Sequence, residues 1–492
     1  MLFSTFEFLF VFLPVVVVGF VLLAKTRWGA LSRGWLVFSS FVFYAVWRSE
    51  HIPLLAGSIL ANYFLGLGVS RARENAMRRI LLILGVGLNL GLLAYFKYAG
   101  FFAGNLQDLG MLEFSLPAIA LPLGISFFTF QQIAYLLDVS RERRAERNLL
   151  NYAFFVSFFP QLVAGPIVHH REMLSQLRRP SFGTVRATDL AVGLSLLTIG
   201  LAKKLLIADQ LGLYADPVFA HSDGGGALGP LDAWIGLLAY TGQLYFDFSG
   251  YCDMATGLAR MFGLLLPLNF FSPYKAGSII EFWRRWHITL SRFLRDSLYI
   301  PLGGNRVAKW RHFLNLGIVM FLGGLWHGAA WTFAFWGLLH GFYLAANNAW
   351  RGVLGERWGR VRLFRSYRVA AWALTISAVM VAWAFFRAGS FGSAGRLLGG
   401  LVSSNGESKI VEDPIEALLF ALAALALCLL APNSMELWRR YRPAIGVGAY
   451  LESMKSNWSC RLNFRTAAFT AALLVISCMR LMEVSPFLYF EF

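Results

Sequence analysis

Apolar runs follow one another from end to end of this chain, and they restrict the fold more than any other feature. The first covers residues 1–24, and others lie at about 34–47, 52–70, 80–96, 116–137, 149–168, 190–207, 233–247, 313–326, 329–349, 369–386, 415–431 and 464–481. A helix crossing hydrocarbon needs about 20 mostly apolar residues and satisfies its own backbone. The sequence therefore predicts an all-α polytopic membrane protein, with residues 1–492 as a single integral-membrane domain. Several runs are short or broken by Pro122, Gly124, Pro160, Gly165 and Pro166. Such segments suit tilted or re-entrant helices buried in protein. The expectation is about 11 spans plus re-entrant and interfacial helices. Charged residues are 14% of the chain, against about 25% in a soluble domain. That excludes an ordinary cytosolic, disordered or fibrous protein.

Lys and Arg number 44 against 27 Asp and Glu, a net charge of +17. The excess falls in short segments between apolar runs, as the positive-inside rule requires, so nucleic acid is not expected as a partner. The basic clusters at 25–33, 71–79, 141–147 and 171–179, with Lys203 and Lys204, mark the cytoplasmic side. The loops after Trp47 and Lys97 are poor in Arg and Lys and belong to the other side. The first run has its positive charges after it, which reads as a membrane helix rather than a signal peptide. No internal repeat is visible, which counts against a secondary transporter. The four cysteines form no CxxC pair, so neither a metal site nor a disulfide framework is expected.

Two segments concentrate the chemistry. The first, 269–312, packs Trp283, Arg284, Arg285, Trp286, His287, Arg292 and Arg295 together. On a continuous helix His287 and Ser291 would share a face, Arg284 would lie one turn before His287, and Glu281 would pair with Arg285. The segment reads either as a basic amphipathic helix at the interface or as the gate of a site for an anionic substrate. The second, 321–341, carries His327 and His340 in an uncharged run from Phe313 to Trp350. An imidazole at membrane depth is costly without partners, so each is a functional candidate. On one helix the two would stand about 220° and roughly 20 Å apart, so they cannot form one catalytic pair there. His327 has small neighbours in Gly-Gly-Leu-Trp-His-Gly and is the stronger candidate; His340 reads equally well as a packing residue. His51, His169, His170, His221 and His312 lie near loops.

Asp247 interrupts an apolar aromatic run and reads as a satisfied structural carboxylate or as a partner for a cation such as Arg284. Asp253 can pair with Arg260. There is no P-loop, GxSxG elbow or HExxH. A histidine without a local serine or cysteine points to general-base chemistry on a hydroxyl brought from outside. A transporter or proton-coupled channel using His327 and Asp247 is the competitor from another class.

At these residues the chain resembles the membrane-bound O-acyltransferases, in the bacterial branch of the alginate O-acetyltransferase membrane subunit. The resemblance rests on LPLGISFFTFQQIAYLLDV at 121–139, FFPQLVAGPIV at 158–168, GLAKKLLIAD at 200–209 and QLYFDFSGYCDMATGLARMFG at 243–263. EFWRRWHITLSRFLRDSLYIPLGGNR at 281–306, GGLWHGAAWTFAFWGLLHG at 323–341 and WAFFRA at 383–388 complete it, leaving about 390–492 weakly diagnostic. Cys252 departs from the serine expected there, at a position away from the proposed chemistry. The resemblance implies a ring of helices around a thin centre, with a funnel opening to the cytoplasm and the active histidine at its base. It assigns that role to His327 and the second family histidine to His287. Arg284, Arg285, Arg292 and Arg295 would attract an anionic acyl carrier, with Trp286, Asn305 and Asp247 as further substrate contacts. No bound cofactor is implied; the donor would be acetyl-CoA or another acyl thioester. The acceptor would be an exopolysaccharide or cell-wall polymer, reached with an extracytoplasmic SGNH-type acetyltransferase, at a bacterial inner membrane. D-alanyl transfer to teichoic acid from a carrier protein is the alternative within the class.

Overall fold

The computed structural model describes all residues except 25–28, 114–115, 118, 180–181, 405–409, 453–457, 482–486 and 489–492. Lys25 and Arg27 of the first basic cluster lie outside the described residues. Every named element among the described residues is helical. The helices that position the site are α1 Leu13–Ala24, α2 Gly29–Arg48, α3 Ile52–Arg71 and α4 Asn75–Leu93. They continue with α5 Ile125–Glu142, α6 Leu149–Ser157, α7 Ala187–Ala202 and α8 Pro230–Met261. The later ones are α9 Ile279–Arg285, α10 Ile288–Leu294, α11 Lys309–His327, α12 Trp331–Leu354 and α13 Arg365–Arg387.

Five helical stretches among the described residues are long and apolar enough to cross a membrane, and Pro414–Leu430 and Phe464–Cys478 are shorter apolar helices. One of the five, Ala30–Arg71, turns at Ser49–His51 and so contributes both α2 and α3. The chain is thus a multi-pass membrane protein. Length and composition alone do not reach the eleven spans expected from the runs, because many helices are short, broken or buried.

The two ends of the molecule differ in charge. Arg71, Arg143, Arg144, Arg147, Arg171 and Arg178 line one cavity of about 660 Å³, and Arg141 donates to the Asp296 carbonyl at 3.3 Å beside it. This is the basic end. α3 spans about 30 Å, which places the α2–α3 turn, with Trp47 and Arg48, at the opposite end.

The segment after α6 doubles back on itself around the Pro160, Gly165 and Pro166 breaks. The chain enters it through α6 from the basic end, just after Glu146, which Arg178 holds at 2.5 Å. It reaches Leu162 beside Gly124 at the start of α5 and returns to His170, 3.3 Å from Asp138. Gln131 and Gln161 both donate to the Phe155 carbonyl, at 2.8 and 2.7 Å, which satisfies backbone freed by the break before Phe159.

α8 is buried on nearly every face, as a central helix must be. Its charges are paired with the helical segment that follows α7. Lys204 bridges Asp247 at 2.9 Å and Asp209 at 2.7 Å, and Lys203 holds Asp253 at 2.6 Å. Asp253 therefore pairs with Lys203 and not with Arg260, which instead bonds Asp189 at 3.0 Å. The reason is register: Lys203 crosses α8 at Gly250, where there is no side chain to hold the helices apart.

Candidate active site

His327 is the last residue of α11, and three carbonyls at that helix end are capped from one short stretch. Lys97 donates to the carbonyls of Trp326 at 2.7 Å and His327 at 2.8 Å, and Tyr98 donates to that of Leu325 at 2.7 Å. A helix end buried without partners would leave these acceptors unsatisfied, and a cation there also complements the helix dipole. Gly328 follows in an extended conformation and lets the chain reverse into α12. α11 and α12 then meet backbone to backbone: a Cβ at Gly324 would lie 2.2 Å from the Phe333 carbonyl, and one at Gly337 2.2 Å from that of Met320.

The His327 ring is 4% exposed and sits in an aromatic cage. Ring centroids lie 4.9 Å away for Trp326, 5.2 Å for Trp336 and 5.2 Å for Phe386. The His287 ring is 6.3 Å from it. The structure thus brings together two histidines from separate elements.

His287 arrives there through a break, not on the continuous helix read from the sequence. α9 ends at Arg285, and His287 stands as N-cap of α10 in the left-handed region, at φ 43° and ψ 52°. That conformation is uncommon for a residue other than glycine. It turns the imidazole inward, where it is 0% exposed. Asn269 holds it there: its Oδ1 is 3.2 Å from His287 Nδ1 and accepts from Thr289 N at 3.2 Å and Thr289 Oγ1 at 2.8 Å. Because Oδ1 is an acceptor, His287 Nδ1 is the N–H donor and Nε2 carries the lone pair. Asn269 Nδ2 in turn donates to Cys252 Sγ at 3.2 Å. The cysteine that looked remote from the chemistry is one hydrogen bond from the residue that orients His287.

His340 is held as a structural group: Trp283 Nε1 donates to its Nδ1 at 3.2 Å. Trp286 stands one layer behind the cage, 5.0 Å from Trp383, which stacks on Trp336 at 5.8 Å. Asp247 takes Lys204 and the Leu488 N–H, the latter at 3.1 Å, so Lys204 rather than Arg284 is its cation. Of the four arginines, Arg285 pairs with Glu281 at 2.7 Å, as the i,i+4 spacing predicted. Arg292 forms a two-pronged pair with Glu172 at 2.6 and 2.9 Å. Arg295 bonds Asp296 at 2.7 Å, which raises its pKa. Of the four, Arg284 alone faces a large cavity without a carboxylate bonded to it among the described residues. Asn305 is exposed in the turn before α11.

A cavity of about 190 Å³ reaches His327. It is lined by Trp47, Arg48, Lys97, residues 121–127, Val163, Trp326 and His327. It lies at the end away from the basic clusters. The Pro-Leu-Gly turn before α5 and the tip of the segment that doubles back form its wall, which is why those broken apolar runs are needed. Lys97 and Asn269 escaped the sequence reading. Lys97 is the one charged residue between Ile80 and Gln107, a signal that a lone cation in an apolar run has a buried partner.

Residues 88–386 match the profile of the MBOAT, membrane-bound O-acyltransferase family. The chain belongs to this family. Its members are O-acyltransferases, and the chain is an enzyme of that class. It is 45% identical over 434 residues to the peptidoglycan O-acetyltransferase of Helicobacter pylori, covering 83% of this chain and 81% of the relative. It is 39% identical to the probable alginate O-acetylase AlgI of Pseudomonas putida over the whole of both chains. The teichoic acid D-alanyltransferase of Streptococcus thermophilus is more distant, 28% identical over 46% of this chain and 57% of its own. The histidine pair and its cage, out to Phe386, fall inside the matched region.

Proposed function

We propose that this membrane O-acyltransferase moves an acetyl group from a cytoplasmic thioester donor, acetyl-CoA or a related carrier, to a hydroxyl of an exopolysaccharide or cell-wall polymer outside a bacterial inner membrane. The observation that carries the reading is His327, buried in an aromatic cage beside His287 at the inner end of a cavity that opens away from the basic end. By the positive-inside rule that cavity faces the acceptor side.

His327 acts as general base. It takes the proton of the acceptor hydroxyl as the oxygen attacks the thioester carbonyl; the C–S bond breaks, the C–O ester bond forms, and the departing thiolate recovers the proton. In the variant with a transient acyl-histidine, the imidazole nitrogen attacks first and the acceptor oxygen displaces it. His287 orients a reacting group from the neighbouring wall, its Nε2 supplying an acceptor. An extracytoplasmic SGNH-type acetyltransferase or the polymer itself receives the group. Relatives named for O-acetyl transfer cover most of the chain, whereas those named for D-alanyl transfer cover about half, which favours acetyl over D-alanyl.

The test is His327→Ala, with membrane insertion and thermal unfolding checked, followed by mass analysis of secreted polymer. Loss of polymer acetyl groups is expected, and the polymer that loses them names the acceptor. Normal acetylation in a well-folded variant would sink the assignment.

A further inference from the structure

Among the cavities that the histidine site leaves unused, one is rich in arginines that no carboxylate pairs among the described residues. It lies at the basic end, between α9, the end of α12 and the start of α13, with a volume of about 600 Å³. Lys275, Arg284, Arg351, Arg362 and Arg368 line it, with Glu281 as the one carboxylate. That carboxylate is already committed: Oε1 accepts from Arg285 at 2.7 Å and Oε2 from the Gly277 N–H at 3.0 Å. Among the described residues none of Arg284, Arg351, Arg362 and Arg368 forms an ion pair. This contrasts with Arg285, Arg292 and Arg295, each of which has a carboxylate within 3 Å.

Arg351 makes the case sharper. It is partly buried, its Nη2 reaches Ser278 Oγ at 3.3 Å, and its guanidinium lies 5.0 Å over the Trp358 ring. Its Nε is buried with no hydrogen-bond partner among the described residues. Like charges gathered around a cavity repel one another, and a multiply charged anion converts that repulsion into attraction. Guanidinium forks match phosphate oxygens in pairs. Trp358, Tyr367 and Trp372 add apolar and aromatic wall beside the cations. The cavity is too large for a single small anion and has room for several phosphates with an organic body attached.

We propose that this cavity binds a ligand carrying two or more phosphate groups, gripped by Arg284, Arg351, Arg362 and Arg368. The proposal deepens the donor half of the proposed function and rests on that reading for the ligand's role. α9 links the two places. Ile280, Glu281 and Arg284 face the cavity, while Trp283 touches His340 and lies 5.9 Å from Trp336, itself in the cage of His327. A phosphate-bearing carrier held here would have its far end directed past α9 toward the histidines. Two sources share the chemistry: a soluble phosphate ester with a nucleotide body, and the headgroup of an anionic lipid that carries two phosphates.

The test uses purified full-length protein in neutral detergent and in nanodiscs, with the double variant Arg362→Gln/Arg368→Gln, whose side chains are exposed. Coenzyme A is the soluble probe, inorganic pyrophosphate its competitor, and cardiolipin, with two phosphates, against phosphatidylcholine the lipid probe. Expected is coenzyme A binding that pyrophosphate displaces, that weakens with salt, and that falls about tenfold or more in the double variant. Retention of cardiolipin in place of coenzyme A, lost in the same variant, supports the site and assigns it to lipid. Binding of neither probe, or binding of both at wild-type strength in the variant, overturns the proposal. His327→Ala keeps the binding. If that variant also keeps polymer acetylation, the catalytic reading fails while the cavity stands; if it loses acetylation but the arginine variant binds normally, the reverse holds.

Discussion

At the scale of single residues, Asn269 decides the state of His287. Its Oδ1 already accepts from Thr289, so only an N–H at His287 Nδ1 fits beside it. Asn269→Ala removes the acceptor for three donors, at a cost of about 1–3 kcal/mol for each buried group left unpaired. Polymer acetylation by that variant is expected to fall about tenfold or more, with the protein still inserted. Asn269→Asp is the sharper probe. A carboxylate beside Nδ1 favours the imidazolium, so the ring gains a proton more readily than in the native protein. If activity requires the neutral ring, the acidic limb of the pH–rate profile moves to higher pH, and an unmoved limb would show that His287 does not titrate in the active range. Cys252→Ser, which restores the residue expected from the resemblance, replaces a weak sulfur acceptor for Asn269 Nδ2 with a hydroxyl and is expected to preserve activity.

At the scale of elements, the α11–α12 hairpin and its cap build the floor of the cavity. Gly337→Leu places a side chain against the Met320 carbonyl and drives the helices apart, costing about 1–3 kcal/mol or more. A lower unfolding temperature in detergent, with activity lost in parallel, is the expected result. Lys97→Met keeps the length of the side chain but frees the carbonyls of Trp326 and His327. Activity is expected to drop through kcat more than KM, with partial recovery in Lys97→Arg, because the lysine positions His327. Equal loss in both variants with reduced unfolding temperature would reduce Lys97 to a structural cap. These elements also mark what was legible beforehand. His327 stood out because an imidazole among glycines in an uncharged run is costly to bury without a partner or a task. Its cap did not, because Lys97 lies 230 residues away in sequence. The break at His287 was invisible because Arg-Trp-His-Ile contains no glycine or proline; backbone hydrogen bonds from Ile288 to Asn269 and from Phe271 to Arg285 impose it from another segment. The aromatic, basic segment around His287 drew attention to Arg292 and Arg295, whereas Arg351, Arg362 and Arg368 stand in an Arg-rich stretch beyond both histidine motifs in sequence and line one cavity only when α12 turns into α13.

At the scale of the whole molecule, the two cavities open at opposite ends with the cage of His327 and the indole of Trp283 between them. A transferase that takes its donor from one side of a membrane and its acceptor from the other needs openings at both ends. Sidedness is directly measurable. Cys252 and Cys428 are buried and Cys460 and Cys478 are half-buried, so a background with the latter two changed to serine has little intrinsic thiol reactivity. In intact cells a membrane-impermeant maleimide is expected to label Leu121→Cys, at the mouth of the histidine cavity. It should leave Arg362→Cys unlabelled until the membrane is opened. Labelling of both from outside would place the two openings on one side. Donor and acceptor would then meet without crossing the bilayer, and the reading of the +17 charge as topology would fail with it.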